Sequence, residues 1–138
     1  MQPVPYLFFN GNCREAMTHY GVIFGNEPEI MPFEDMPDDV QAEMPGVPDD
    51  AVMHASVAIG DGMLFACDDS SGQVPEMAGS DVCIALPDEA ETQRVWDALA
   101  QGGDVRMPLS AVFWTPLYGL LSDKYGVRWM IMTTSNHE

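Results

Sequence analysis

The sequence predicts an α+β fold built as two tandem βαβββ modules, and three observations predict it. Two apolar runs, Leu117–Leu121 and Val127–Met132, flank a turn carrying Asp123 and Gly126, the pattern of a strand pair. A shorter version, Ile59-Gly60-Asp61-Gly62-Met63-Leu64-Phe65-Ala66, occurs earlier in the chain. Each pair is preceded by a segment with apolar residues at helical spacing behind a capping residue. A chain that closes each half in the same way is a candidate internal duplication.

The elements follow in order. Tyr6–Phe9 is a short apolar run suited to a buried strand. Asn12, with Glu15 three residues later, offers a capping-box-like helix start. Ala16, Tyr20, Ile23 and Phe24 then fall on one helical face, and Gly25 provides a stop. Glu27–Phe33 reads as a second strand. Residues 34–50 hold seven acids and three prolines in 17 residues, and the segment is expected to be a loop. Val52–Ile59 and Met63–Cys67 form a hairpin across Asp61-Gly62. The Ser-, Gly- and Asp-rich stretch after it makes residues 70–80 the natural linker. That leaves a first module over 1–69 and a second over 81–138.

The order then repeats. Asp81–Leu86 is a strand, with Val82, Ile84 and Leu86 alternating. Asp88 is the N-cap, Thr92, Val95, Trp96 and Leu99 form the buried stripe, and Gly102 or Gly103 ends the helix. Val105–Met107, Leu117–Leu121 and Val127–Met132 supply three more strands. Matching positions lie farther apart at the helix caps (Asn12 and Asp88) than at the closing turns (Gly62 and Gly126). The first half therefore holds extra residues, and the acidic segment is where they fit.

Composition removes several function classes. Five Lys/Arg against 22 Asp/Glu give a formal charge of −17, and no Lys or Arg occurs between Arg14 and Arg94. Such a field repels phosphate backbones, so nucleic-acid binding and docking to anionic membranes are both disfavoured. The acidic surface reads either as a solubility device or as a means of recruiting a cationic ligand, which the sequence does not localise. No apolar run approaches the roughly 20 residues of a membrane span. The opening Met1-Gln2-Pro3-Val4-Pro5 has no basic region and no apolar core, so a secretory signal is not expected. Cys13, Cys67 and Cys83 match no metal or redox spacing and read as reduced thiols in a cytoplasmic protein.

A paired βαβββ arrangement resembles the vicinal-oxygen-chelate superfamily of glyoxalase I, extradiol dioxygenases, and fosfomycin- and bleomycin-resistance proteins. Tyr6-Leu7-Phe8-Phe9-Asn10-Gly11-Asn12-Cys13-Arg14-Glu15-Ala16 resembles the opening pattern of its PhnB-like branch. His54-Ala55 ahead of the first hairpin, Phe113-Trp114, and Asp123-x-x-Gly126-x-x-Trp129 resemble the rest of that signature. The resemblance spans nearly the whole chain. It implies mixed sheets curling into a cup, a small-molecule ligand held there, and a homodimer. One label used for such sequences is a demethylubiquinone methyltransferase. The chain shows no Gly-rich loop between a strand and a helix at a position to hold a nucleotide cofactor, so that activity is not expected.

The resemblance also implies a divalent ion held by His, Gln or Glu from the first and last strands of each module, acting as a Lewis acid. Counting back from the helix caps puts two of these positions near Pro5 or Tyr6 and at Asp81, and counting four residues past the closing-turn glycines Gly126 and Gly62 puts the others at Met130 and at about Ala66. Only Asp81 is an ordinary ligand, so a site that has lost its metal is expected, with His54, Asp68 and Asp81 as weak candidate ligands. The alternative is a divalent-metal-dependent lyase, isomerase or resistance enzyme. His54 reads either as a hydrogen-bonded histidine at a strand end or as a general base or ligand contact in the cup. Trp114 and Tyr118 read as cup-lining aromatics or as packing. Alternation puts Arg128, Met130 and Met132 on one face of the last strand. Arg128 is then an anchor for a carboxylate or phosphonate, or a rim arginine paired with an acid. Asp123 reads as a turn residue.

Overall fold

The computed structural model describes residues 1–134. The chain divides into two compact units, Met1–Pro75 and Glu76–Glu138. Each unit is a four-stranded mixed sheet with a helix on one face, and neither sheet closes on itself. No helix of the described residues is long and apolar enough to cross a membrane.

In the first unit the elements are β1 (Tyr6–Phe9), α1 (Cys13–Phe24), β2 (Glu29–Pro32), a short α2 (Asp38–Ala42), β3 (Val52–Ile59) and β4 (Gly62–Asp68). The strand order is β1-β4-β3-β2. β1 runs parallel to β4, and the remaining pairs are antiparallel. Alternation along the strands decides what meets α1. Leu7 and Phe9 of β1, Leu64 and Ala66 of β4, and Ala55 and Val57 of β3 are buried, as are Ala16, Met17, Tyr20 and Ile23 of the helix. Gly25 ends α1 in the left-handed conformation. Two local expectations change. Asn12 makes no side-chain cap; the Asp68 carboxylate takes that role from the end of β4, accepting from the N–H groups of Gly11 (3.1 Å), Cys13 (3.0 Å) and Val52 (3.0 Å). The acidic stretch is not loop throughout, because it holds a 3-10 turn at Phe33–Asp35, with Phe33 buried, and then α2.

The second unit holds β5 (Val82–Leu86), α3 (Glu89–Ala100), β6 (Asp104–Val112), β7 (Thr115–Ser122) and β8 (Arg128–Thr133), in the order β5-β8-β7-β6. Here Asp88 does cap its helix, accepting from the Glu91 N–H at 2.8 Å. The buried stripe of α3 is Thr92, Val95, Trp96 and Leu99. Gly119 on β7 lets Trp96 lie on the sheet, since a Cβ there would fall 2.8 Å from the indole. β6 is longer than the sequence predicts, and it turns into β7 at Phe113-Trp114.

Asp123 is far more than a turn residue. It is buried, and its Oδ1 accepts from the N–H groups of Tyr125 (2.9 Å) and Val127 (3.0 Å). Its Oδ2 accepts from the indole N–H of Trp129 at 2.9 Å, and Trp129 is fully buried. Gly126 supplies the positive φ (85°) that this tight loop needs. The Asp-x-x-Gly-x-x-Trp spacing thus has a mechanical meaning, for one carboxylate ties the β7–β8 turn to the core.

Candidate functional site

The face of the first sheet turned away from α1 is aromatic. Tyr6 and Phe8 of β1 lie in register with Phe65 and Cys67 of β4, and His54 lies on the same face of β3. The Tyr6 hydroxyl and His54 Nδ1 are 3.1 Å apart. The ring centroids of Tyr6 and Phe8 lie 5.3 Å apart, and those of His54 and Phe65 5.1 Å apart, edge to face. Tyr6 is 40% exposed and Phe8 51%, so this apolar surface is open within the unit. Burial of the ring and a hydrogen bond with Cys67 push the Tyr6 phenol up to about 12. Cys67 is also raised, chiefly by burial, which leaves it a neutral thiol rather than a nucleophile.

The Tyr6–His54 contact fixes the imidazole ring. When the phenol donates to Nδ1, Nε2 carries the proton and faces outward as a donor. When Nδ1–H donates to the phenol oxygen, Nε2 is an acceptor. In both cases one oriented polar edge stands among apolar rings, the composition of a small-molecule site. The sequence points to His54, whereas Tyr6 enters it only as a poor metal ligand. The signal was present, because Tyr6 and Phe8 alternate with the core residues Leu7 and Phe9. The raised phenol makes a direct prediction. Alkaline absorbance titration, wild type minus Tyr6→Phe, should show one phenol ionising near pH 12. A difference curve centred on the ordinary value of 10 would contradict the raised phenol. The folded pKa lies above the unfolded one, so this group's contribution to stability is complete below pH 10 and lost as pH rises through about 12.

The other named residues lie in the second unit. Arg128, Met130 and Met132 are on the face turned away from α3, with Trp129, Ile131 and Thr133 buried on the other. Tyr118 is in register with Met132 on that open face. Trp114 stands at the β6–β7 turn, 5.3 Å from the Tyr118 ring and 4.7 Å from that of Phe113, which is 97% exposed. Arg128 is paired: its Nε donates to Asp81 Oδ1 at 2.9 Å. Arg106, which sequence reading did not select, donates to the same oxygen at 3.1 Å and to the Leu121 carbonyl at 3.0 Å. Asp81 is thus a carboxylate clamped by two guanidinium groups.

Whether these residues fit a divalent ion follows from the register. The Asp69 N–H donates to the Phe9 carbonyl in the first unit, and the Thr134 N–H to the Leu86 carbonyl in the second, both at 2.7 Å. Stepping back from these matching bonds pairs Tyr6 with Cys83 and Phe65 with Met130. Each pairing is one residue away from the counted one, because β1 and α1 are joined by one residue more than β5 and α3, and because β4 begins at Gly62 whereas β8 begins two residues after Gly126. Ala66, read as the equivalent of Met130, is buried against α1 instead. The four outward positions therefore hold a phenol, a phenyl ring, a thiol and a thioether, with no carboxylate or imidazole among them. Asp68 is spent on three backbone N–H groups, and Asp81 on two arginines. Among the described residues no three His, Cys, Asp or Glu side chains form a metal-holding group. The donor set does not fit the superfamily's metal.

Two βαβββ units, each with a helix behind an open mixed sheet, define a protein of the glyoxalase/bleomycin-resistance fold. The fosfomycin resistance protein FosX from Mesorhizobium loti shares it (TM-score 0.59, 11% identity, covering 99% of this chain and 94% of that one). The family described as 3-demethylubiquinone-9 3-methyltransferase matches residues 2–132, and the chain belongs to that PhnB-like family. Protein YjdN of Escherichia coli strain K12 is 31% identical over 134 residues, covering 92% of this chain and 91% of that protein. Among solved structures, protein PA1353 from Pseudomonas aeruginosa is 38% identical with a TM-score of 0.84, covering 96% of this chain and 97% of that one. A putative 3-demethylubiquinone-9 3-methyltransferase, PhnB protein, from Bacillus cereus is 25% identical with a TM-score of 0.75, covering 97% and 100%.

Proposed function

We propose that the protein binds a small organic molecule on the open face of its first sheet, with the Tyr6–His54 pair supplying the polar contact and Phe8 and Phe65 the apolar wall. The observation that carries this reading is the 3.1 Å Tyr6–His54 contact set among aromatic rings. The ligand is held without a metal, since the positions that would chelate one carry Tyr6, Phe65, Cys83 and Met130. Trp114 and Tyr118 offer a second aromatic surface. Arg128 keeps its terminal nitrogens for an anionic group while its Nε holds Asp81. The family's methyltransferase description is not carried into this reading. Methyl transfer requires a site for the methyl donor, and the chain has no Gly-rich strand-to-helix loop to form one. The protein acts as a homodimer in this reading, supported by the exposed apolar side chain Phe113.

Titration calorimetry with a panel of small aromatic carboxylates, aldehydes and phenols tests the proposal. At least one member should bind, with affinity falling tenfold or more in His54→Ala and about threefold in Tyr6→Phe, and unchanged by chelator. No binding across the panel, or equal binding by His54→Ala, would sink the idea. Sedimentation at the same concentrations should give twice the 15.2 kDa chain mass, and a monomer would remove the dimer.

A further inference from the structure

The first unit has a cavity of about 680 Å³ within the range of ligand pockets. It is walled by the start of α1, by the loop around Pro45–Ala51 that follows α2, and by the turn that leaves β4. Pro45, Val47, Pro48 and Met53 give it an apolar side.

Its polar side has a definite sign. A helix N-terminus ordinarily attracts anions through its free N–H groups. Here Asp68 already holds the Gly11 and Cys13 N–H groups, so that attraction is spent inside the protein. Glu15, Asp50 and Asp69 also line the cavity, and Arg14 is the sole cation there. The Arg14 guanidinium lies 3.4 Å from the Asp50 carbonyl. Hydrogen bonds from Ser71 hold the Asp69 carboxyl below the usual carboxylate range, so it stays charged. With Asp68 so engaged, the three carboxylates of Glu15, Asp50 and Asp69 against one guanidinium beside an apolar wall select a cation that carries an apolar body.

We infer that this cavity is a second binding site, distinct from the Tyr6–His54 face, for an organic cation of the amine class. Its ammonium lies toward Glu15 and Asp69, and its apolar part lies on the Pro45–Pro48 loop and Met53. The acidic composition of the chain thereby acquires a local use. The first unit has one Lys/Arg residue, Arg14, in its whole length, so Arg14 is the one Lys/Arg of that unit to compete for these carboxylates.

Benzylamine, with benzyl alcohol and benzoate as its neutral and anionic counterparts, is the probe. Amide NMR spectra of the full chain should show benzylamine shifting the side-chain amides of Asn10 and Asn12 and the backbone amide of Gly46, which line the cavity. Benzyl alcohol should bind at least tenfold more weakly and benzoate not at all. The double variant Glu15→Gln/Asp69→Asn should weaken benzylamine about tenfold. Asp38→Asn/Asp39→Asn, which removes the same charge from exposed α2 outside the cavity, should leave it unchanged. Equal loss in both double variants would reduce the effect to diffuse surface charge and overturn the site. Equal binding of benzyl alcohol, or benzylamine shifts confined to Tyr6, His54 and Phe65, would also overturn it. Neither result depends on whether the aromatic face binds a ligand of its own.

Discussion

Asp123→Ala should be among the most damaging single substitutions in the second unit, destabilising it by about 3–5 kcal/mol in urea denaturation followed by circular dichroism. The variant removes the carboxylate that accepts from the backbone N–H groups of Tyr125 and Val127 and from the indole N–H of Trp129. Trp129 is fully buried, so its N–H cannot turn to water instead. Unpaired buried donors carry their whole desolvation cost, which exceeds the net value of the bonds they made. Trp129→Phe separates two contributions. It deletes the indole donor and some volume but leaves Oδ1 bound to the turn, and about 1–2 kcal/mol is expected. The double-mutant cycle between the two positions should show a favourable coupling of about 1 kcal/mol or more. An Asp123→Ala chain as stable as wild type would mean that the turn is held by its backbone alone.

That network also shows where sequence reading stops. Periodicity with cap and turn residues places the two long helices and the eight strands of the described residues, because a helix at 3.6 residues and a strand at two leave different apolar traces. The α3 stripe of Thr92, Val95, Trp96 and Leu99 is the one observed. Asp123 was assigned to a turn, which it does make, but its reach to Trp129 is a contact across a hairpin that no local pattern reports. The cap of α1 is the same kind of case. Asn12 has the right chemistry and position, yet Asp68, 55 residues from Cys13 in sequence, is a charged acceptor for three donors and displaces it. The misplaced acidic-loop reading has another cause. Seven acids and three prolines mask a single turn of helix anchored by buried Phe33 just ahead of it.

The site is less legible than the fold, and for a related reason. His54 stands out because an imidazole can act as a base, a hydrogen-bonding ligand contact or a metal ligand. Its partner Tyr6 was visible only as an alternating strand residue. Counting along the chain also misaligns the two modules by a residue, since β4 begins at Gly62 itself whereas β8 begins two residues after Gly126. One residue on a strand is a change of face. The shift moves the first-unit equivalent of Met130 from buried Ala66 to Phe65, which is on the aromatic face beside His54. The first-unit positions that the resemblance implies for a metal, Tyr6 and Phe65, therefore lie on the surface of the proposed ligand site.

Asp68→Ala bears on both halves of that conclusion. As the helix cap, Asp68 accepts three backbone N–H bonds at 3.0–3.1 Å, so its removal should destabilise the first unit by about 2–4 kcal/mol. Asp68→Asn keeps one acceptor oxygen but turns an amide donor toward another donor, and it should recover less than half of the loss. Neither variant should alter binding of an aromatic ligand at His54 under conditions where the protein is folded, because Asp68 faces α1 and not the open face. A metal-ligand role makes the opposite set of forecasts. Adding Mn, Ni, Zn or Mg to wild type would raise the melting temperature with concentration, and Asp68→Ala would abolish that response while leaving the metal-free protein nearly as stable as before. Thermal melts of wild type and both variants, with each metal and with chelator, separate the two. The geometry commits to a metal-independent loss of stability in the variants, since the carboxylate is already filled by the chain that it holds together.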